Sequence, residues 1–226
     1  MLFFNLPEDR LVGLSKIIST MSPNTDTRHR ILEAAINIFS TKGYHNARVD
    51  EIVDVAGASK GGVYFHFPSK QDIFLSLIDE FANQLEQDIS EAIEQETSGV
   101  RRVDAALIAC VETFSKHRRL AKIFLIQAVG LGAAFEEKQW EIHDRFVAIV
   151  KQHLDEAVRD GDIPVQDTEI AAYAWMGALN EVVIRWIHTG EPDLEQALPD
   201  LRVFLLRSIG VPDGRIEESA AQLPPG

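Results

Sequence analysis

The chain has 226 residues, 46% of them hydrophobic and 25% charged, with one cysteine and a formal net charge of −13. That length holds one large domain or a small and a medium one, the composition is that of a soluble globular protein, and no apolar run approaches the roughly 18 residues a membrane span needs. The acidity excludes a protein that coats nucleic acid through bulk charge, and a lone Cys110 excludes an intrachain disulfide.

The charge is unevenly placed. Through Asp72 there are 8 basic and 8 acidic residues, so all the net acidity lies beyond that point. A neutral head permits a DNA-facing surface, while an acidic body is repelled from a duplex.

The opening Met1-Leu2-Phe3-Phe4-Asn5-Leu6 lacks a basic segment and is interrupted by Pro7 and the charges of Glu8, Asp9 and Arg10, which predicts no signal peptide and a cytoplasmic protein. Residues 1–24 show no clean period, and Ser22-Pro23-Asn24 marks a break, so they read as an extension. From the N-cap Asp26, the residues Ile31, Ala35, Ile38 and Phe39 recur at helical spacing until Gly43 offers a stop. Val49, Ile52, Val53 and Ala56 predict a short second helix, and a third begins at Lys60. Pro68-Ser69-Lys70-Gln71-Asp72 combines a breaker, a capping Ser and an acid three residues on, which predicts a long fourth helix toward Glu96.

Further helical patterns follow over 103–115, 120–131, 137–158, 170–188 and 194–209, punctuated by Gly161, Pro164, Gly190, Pro192 and Pro199. No stretch alternates with period two between turn signals, so the fold class is all-α, with about nine helices and no sheet. Cys110, between Ala109 and Val111, reads as a buried structural thiol, and 212–226, ending Pro224-Pro225-Gly226, reads as a flexible tail.

The informative stretch runs from Arg48 to Phe67. Ala56 lets two helices cross closely, Gly57 tolerates a left-handed turn, and Ser59 can cap the following helix, which together are the mechanics of a helix-turn-helix. Gly61 and Gly62 are unusual, since each costs about 1 kcal/mol relative to Ala in a helix interior. Their missing side chains admit a phosphate to the helix start, and Lys60, Tyr64 and His66 offer polar groups to a groove.

Gly43-Tyr44, Ile52, Ala56-Gly57-Ala58-Ser59-Lys60-Gly61, Tyr64-Phe65-His66-Phe67 and Ser69-Lys70, in that order and spacing, resemble the first domain of the tetracycline-repressor (TetR) family. Three positions depart from the pattern: Ala47-Arg48 stands where the family has a Thr-Thr or Thr-Ser cap, Gly62 where Thr, Ser or Ala is common, and Val63 in place of Leu or Ile. The resemblance implies an N-terminal DNA-binding domain over 25–72 and a ligand-binding and dimerisation domain over 73–211. The expected DNA contacts are Arg48, Ser59, Lys60, Gly61, Gly62, Tyr64, His66 and Lys70, with Lys60 reaching a base edge and Lys70 a phosphate.

In the body the same resemblance implies a four-helix dimer interface built from the helices containing Trp175 and Phe204. Ala171, Ala174 and Ala178 form a small-residue stripe on the first, and Leu201, Phe204 and Leu205 supply apolar material on the second. Phe114, Phe124, Gln127, Trp140, His143, Phe146 and Trp175 are the candidate ligand contacts, an aromatic set with few polar anchors that suits an apolar or amphipathic effector.

No enzyme is expected: His143-Asp144 and His153-Asp155 have no second His at metal-ligand spacing, and neither a Gly-rich phosphate loop nor a Ser elbow is present. The expected function is a repressor that leaves an inverted-repeat operator when effector binds, without cofactor or metal. The alternative is a helical interaction protein whose helix-turn-helix no longer binds DNA.

Overall fold

The computed structural model describes residues 26–129 and 131–220; the expected extension over 1–24 and the end of the tail, 221–226, lie outside them. Among the described residues there are ten α-helices, one π-helical turn and no strand. They are α1 (Asp26–Asn46), α2 (Val49–Ala56), α3 (Lys60–His66), α4 (Lys70–Glu94), α5 (Gly99–Lys116), α6 (Arg118–Lys122, continued by the π turn Ile123–Gln127), α7 (Ala133–Arg159), α8 (Thr168–Thr189), α9 (Leu194–Ser208) and α10 (Asp213–Ala220). None of the described helices is long and apolar enough to cross a membrane.

The described residues form two compact units, one made of those up to Gln84 with those of Lys116–Phe135, the other of Leu85–Ser115 with those from Glu136 onward. The division falls inside α4 and returns α6 to the first unit, beside the boundary expected after Asp72 between the DNA-binding and ligand-binding domains. The reason is visible in side chains: on α6, Arg119 Nη1 donates to Asn37 Oδ1 at 2.7 Å and Lys122 Nζ to the Ser40 carbonyl at 2.9 Å, both on α1.

The first unit is organised by two helices whose apolar residues repeat at helical spacing. Ile31, Leu32, Ala35 and Phe39 on α1 and Ile73, Phe74, Leu77, Ile78 and Phe81 on α4 are fully or almost fully buried. Rings close this core: Phe39 and Phe74 meet edge to face at 5.1 Å, and Tyr44 and Phe74 at 5.0 Å. Each buried Phe contributes about 2–3 kcal/mol by leaving water. The helical run of α1 is broken at Gly43 (φ 75°), near its end, where the sequence placed a stop.

In the second unit α5 buries Val103, Leu107, Val111 and Phe114. Its first residue, Gly99, meets the backbone of α7 so closely that a Cβ there would lie 2.5 Å from Ala157 N, which no other residue tolerates. Arg202 of α9 is buried and forks onto Asp104 of α5, with Nε to Oδ1 at 2.5 Å and Nη2 to Oδ2 at 2.7 Å. Cys110 is buried, and desolvation pushes its thiol up to about 12, which makes it an inert structural thiol.

The flexible tail needs correction over its first part. Residues Asp213–Ala220 form α10, held by buried Ile216, by Arg207 on Asp213 at 2.8 Å and by Arg215 on Asp162 at 2.5 Å.

Candidate nucleic-acid interface

The interface is built from α2, the turn after it, and α3. Arg48 carries no acceptor and gives α2 no side-chain cap; instead Glu51 accepts the Arg48 N–H at 3.2 Å and binds Lys42 at 2.5 Å. Gly57 takes the left-handed conformation (φ 58°, ψ 33°) that ends α2 and that a side chain would strain. Ser59 Oγ then accepts the Gly62 N–H at 3.0 Å, so the cap read from the sequence is in place and one of the N–H groups at the start of α3 is already satisfied.

On α3 only Val63 is buried; Lys60, Gly61, Tyr64 and Phe65 face outward and His66 is half-buried. Lys60 Nζ binds Asp50 Oδ1 of α2 at 2.8 Å, and that hydrogen bond holds the ammonium above its ordinary value and the Asp50 carboxyl below its own. Arg48 lies 3.6 Å from the other oxygen of Asp50, so one carboxylate sits between two of the expected DNA contacts. Arg28, on α1, reaches 5.3 Å from the centroid of the Phe67 ring just past α3 and also pairs with Glu80 of α4, which ties the end of α3 to its neighbours.

Lys70 is placed differently from expectation. Its ammonium donates to the carbonyls of Tyr44 at 2.8 Å, Ala47 at 3.0 Å and His45 at 3.4 Å, and stands 4.5 Å from the Tyr44 ring centroid. An ammonium has three donors, and these three carbonyls at the end of α1 accept from it. Phe65, inside the quoted motif but not among the expected contacts, is 84% exposed. The signal was present in the sequence: with Val63 turned inward, residue 65 must turn outward on a helix of 3.6 residues per turn.

Two family models cover most of the chain. Residues 31–77 match bacterial regulatory proteins of the tetR family, and residues 96–207 match the tetracyclin repressor-like C-terminal domain. The chain belongs to the TetR family of transcriptional regulators. Among its relatives it is 29% identical over 146 residues to the HTH-type transcriptional regulator SrpR of Pseudomonas putida, covering 65% of this chain and 68% of that one. It is 26% identical over 202 residues to the HTH-type transcriptional repressor BepR of Brucella suis, covering 85% and 96%. In fold it is similar to the crystal structure of the transcriptional regulator FadR from Bacillus subtilis in complex with stearoyl-CoA, with a TM-score of 0.71 and 23% identity over 80% of this chain and 98% of that one.

In this TetR-family chain the expected ligand contacts are found in both units. Phe124 lies on the π turn of the first unit with its ring 5.5 Å from that of Phe81, and Gln127 ends the same turn with its Oε1 buried and without a hydrogen-bond partner. Phe114, Phe146 and Trp175 are buried in the second unit, where Trp175 Nε1 donates to Ser208 Oγ at 3.2 Å. His143 stacks on Tyr173 at 6.2 Å and meets Trp140 edge to face at 5.6 Å, and Trp140 is 66% exposed.

The TetR-type dimer candidates divide by face. On α8 Ala174 and Gly177 are exposed and Ala171 and Ala178 half-buried, alongside exposed Ile170 and Tyr173, which the small-residue spacing does not bring into this face. On α9 Phe204 is 62% exposed and Leu201 half-buried, whereas Leu205 is only 2% exposed. Leu205 shares the inward face with Arg202 and Leu206 and is a core residue of its own subunit.

Proposed function

We propose that this TetR-family regulator is a homodimeric repressor that holds an inverted-repeat operator and releases it when an amphipathic ligand of the long-chain acyl-CoA class binds its C-terminal domain. The observation that carries the reading is the outward face of α3, where Lys60, Tyr64 and Phe65 project from a short helix fixed by Val63 inside and by the Ser59 cap. A helix so anchored and so free on its outer side suits insertion into a major groove. Lys60, Tyr64, His66 and Arg48 are the contacts we assign to DNA, with Gly61 and Gly62 giving room at the helix start.

Dimerisation is supported by the apolar face of α8, with Ile170, Tyr173, Ala174 and Gly177 open to solvent, together with Phe204 of α9. Small residues allow two helices to approach closely, and exposed large apolar side chains beside them gain by being covered. The ligand class rests on the stearoyl-CoA held by the FadR of similar fold and on the character of the candidate contacts, rings with few polar anchors. Gln127 supplies one anchor, because a buried acceptor without a donor is a group that a ligand can satisfy.

The test is a titration of the protein on its preferred duplex with stearoyl-CoA and, separately, with CoA alone. Release by the acyl thioester, with duplex affinity lowered about 5- to 150-fold, is the expected outcome. A duplex affinity unmoved by saturated acyl-CoAs of any chain length contradicts the ligand class.

A further inference from the structure

A phenyl ring 84% exposed on the outer face of a DNA-reading helix needs a reason, since Phe65 is the most exposed large apolar side chain of the helix-turn-helix. Its surroundings keep it uncovered. Gly62 and Gly61 stand three and four residues before it, the positions that face residue 65 across one helical turn, and a helical side chain leans toward the N-terminus over that turn. A Cβ at Gly61 would meet nothing within 4 Å, so the space beside the ring is open, and a longer side chain there would shield it. Gly61, which costs stability relative to Ala in a helix, thus leaves the apolar ring bare on the outer face, while a Cβ at Gly62 would press on the capping Ser59 hydroxyl at 3.1 Å.

We propose that Phe65 reads the 5-methyl group of a thymine in the operator's major groove. The ring has no donor or acceptor and cannot recognise a base edge by hydrogen bonding. The one apolar group that base pairs present in the major groove is the thymine methyl. Lys60 and Tyr64, on the same outer face, carry the polar groups that hold the helix in the groove, and the open space at Gly61 lets the ring reach its depth. This assignment rests on the operator-binding reading above and deepens it by naming what one residue discriminates.

The experiment removes the methyl and nothing else. A duplex recovered by selection from a random pool is remade with deoxyuridine in place of thymine at each position in turn, and binding is measured for the wild type and for Phe65→Ala. The wild type should lose about fourfold in affinity at one position of each half-site, the effect of uncovering a single methyl group. Phe65→Ala should bind the two versions equally, with helicity and melting unchanged because the ring is exposed, and Phe65→Leu should restore part of the preference. A Phe65→Ala protein that keeps the wild-type penalty, a wild type indifferent to every replacement, or a recovered half-site without thymine overturns the assignment. A pool that yields no preferred duplex overturns the operator reading, and this one with it.

Discussion

Lys70 Nζ donates to the Tyr44 carbonyl at 2.8 Å while standing 4.5 Å from the centroid of the same residue's ring, so a lysine at the start of α4 closes the end of α1. The carbonyls at a helix C-terminus carry partial negative charge and have no partner within the helix, and a cation there satisfies both deficits. Lys70→Met should therefore lower stability by about 1–2 kcal/mol in urea unfolding, the range for a hydrogen bond to a charged group that is only partly buried. The slope of duplex affinity against salt should not change. Unaltered stability with a slope reduced by roughly one unit would instead make Lys70 a phosphate contact.

Asp50 holds Lys60 at 2.8 Å and has Arg48 at 3.6 Å, which sets a carboxylate among the cations that face DNA. Binding must redirect Lys60 away from this partner. Asp50→Asn should tighten binding to operator and random duplex alike and steepen the salt dependence by roughly one unit, because the face turned to the phosphates loses one negative charge. Weaker binding to both duplexes would show that Asp50 positions Lys60 rather than restraining it.

How far the sequence could be read followed from how local each determinant is. The turn at Gly57 and the cap at Ser59 involve residues within three of one another, and both were legible. Lys70 was not, because its partners Tyr44 and Ala47 lie 26 and 23 residues upstream and no spacing rule connects them. The π turn is silent in periodicity: Ala128 N reaches the Ile123 carbonyl at 3.1 Å, one residue further back than in an α-helix, with the same apolar residues serving either geometry. On α9 the apolar run did not distinguish outward Phe204 from inward Leu205, since facing depends on what packs opposite. The tail misled because its proline-rich end masked a preceding helix held by one buried residue, Ile216, and two arginine–aspartate pairs.

The buried fork of Arg202 on Asp104 joins α5 to α9. Arg202→Leu strands a carboxylate in the core and should cost about 3–5 kcal/mol in urea unfolding, whereas removing both charges by Asp104→Leu with Arg202→Leu should recover most of that loss. A single mutant as stable as wild type would mean that water reaches Asp104.

The exposed face of α8 and Phe204 of α9 make the dimer testable without touching the core. Ala174→Glu with Phe204→Glu sets charges where two subunits would meet, and the isolated subunits should keep their helicity because both positions are exposed. Sedimentation should show monomers, and operator affinity should fall toward the level for random duplex although every DNA-facing residue remains. A double mutant that still sediments as a dimer would place the interface on another surface.

Selection of bound duplexes from a random pool by the full-length protein tests the central claim most directly, because a two-fold dimer of helix-turn-helix units imposes its symmetry on the site it reads. The account predicts an inverted repeat whose half-site centres lie about 10 base pairs apart, one helical turn, or a multiple of that. A pool that returns no enriched sequence, or a single asymmetric site bound at full affinity, would contradict it.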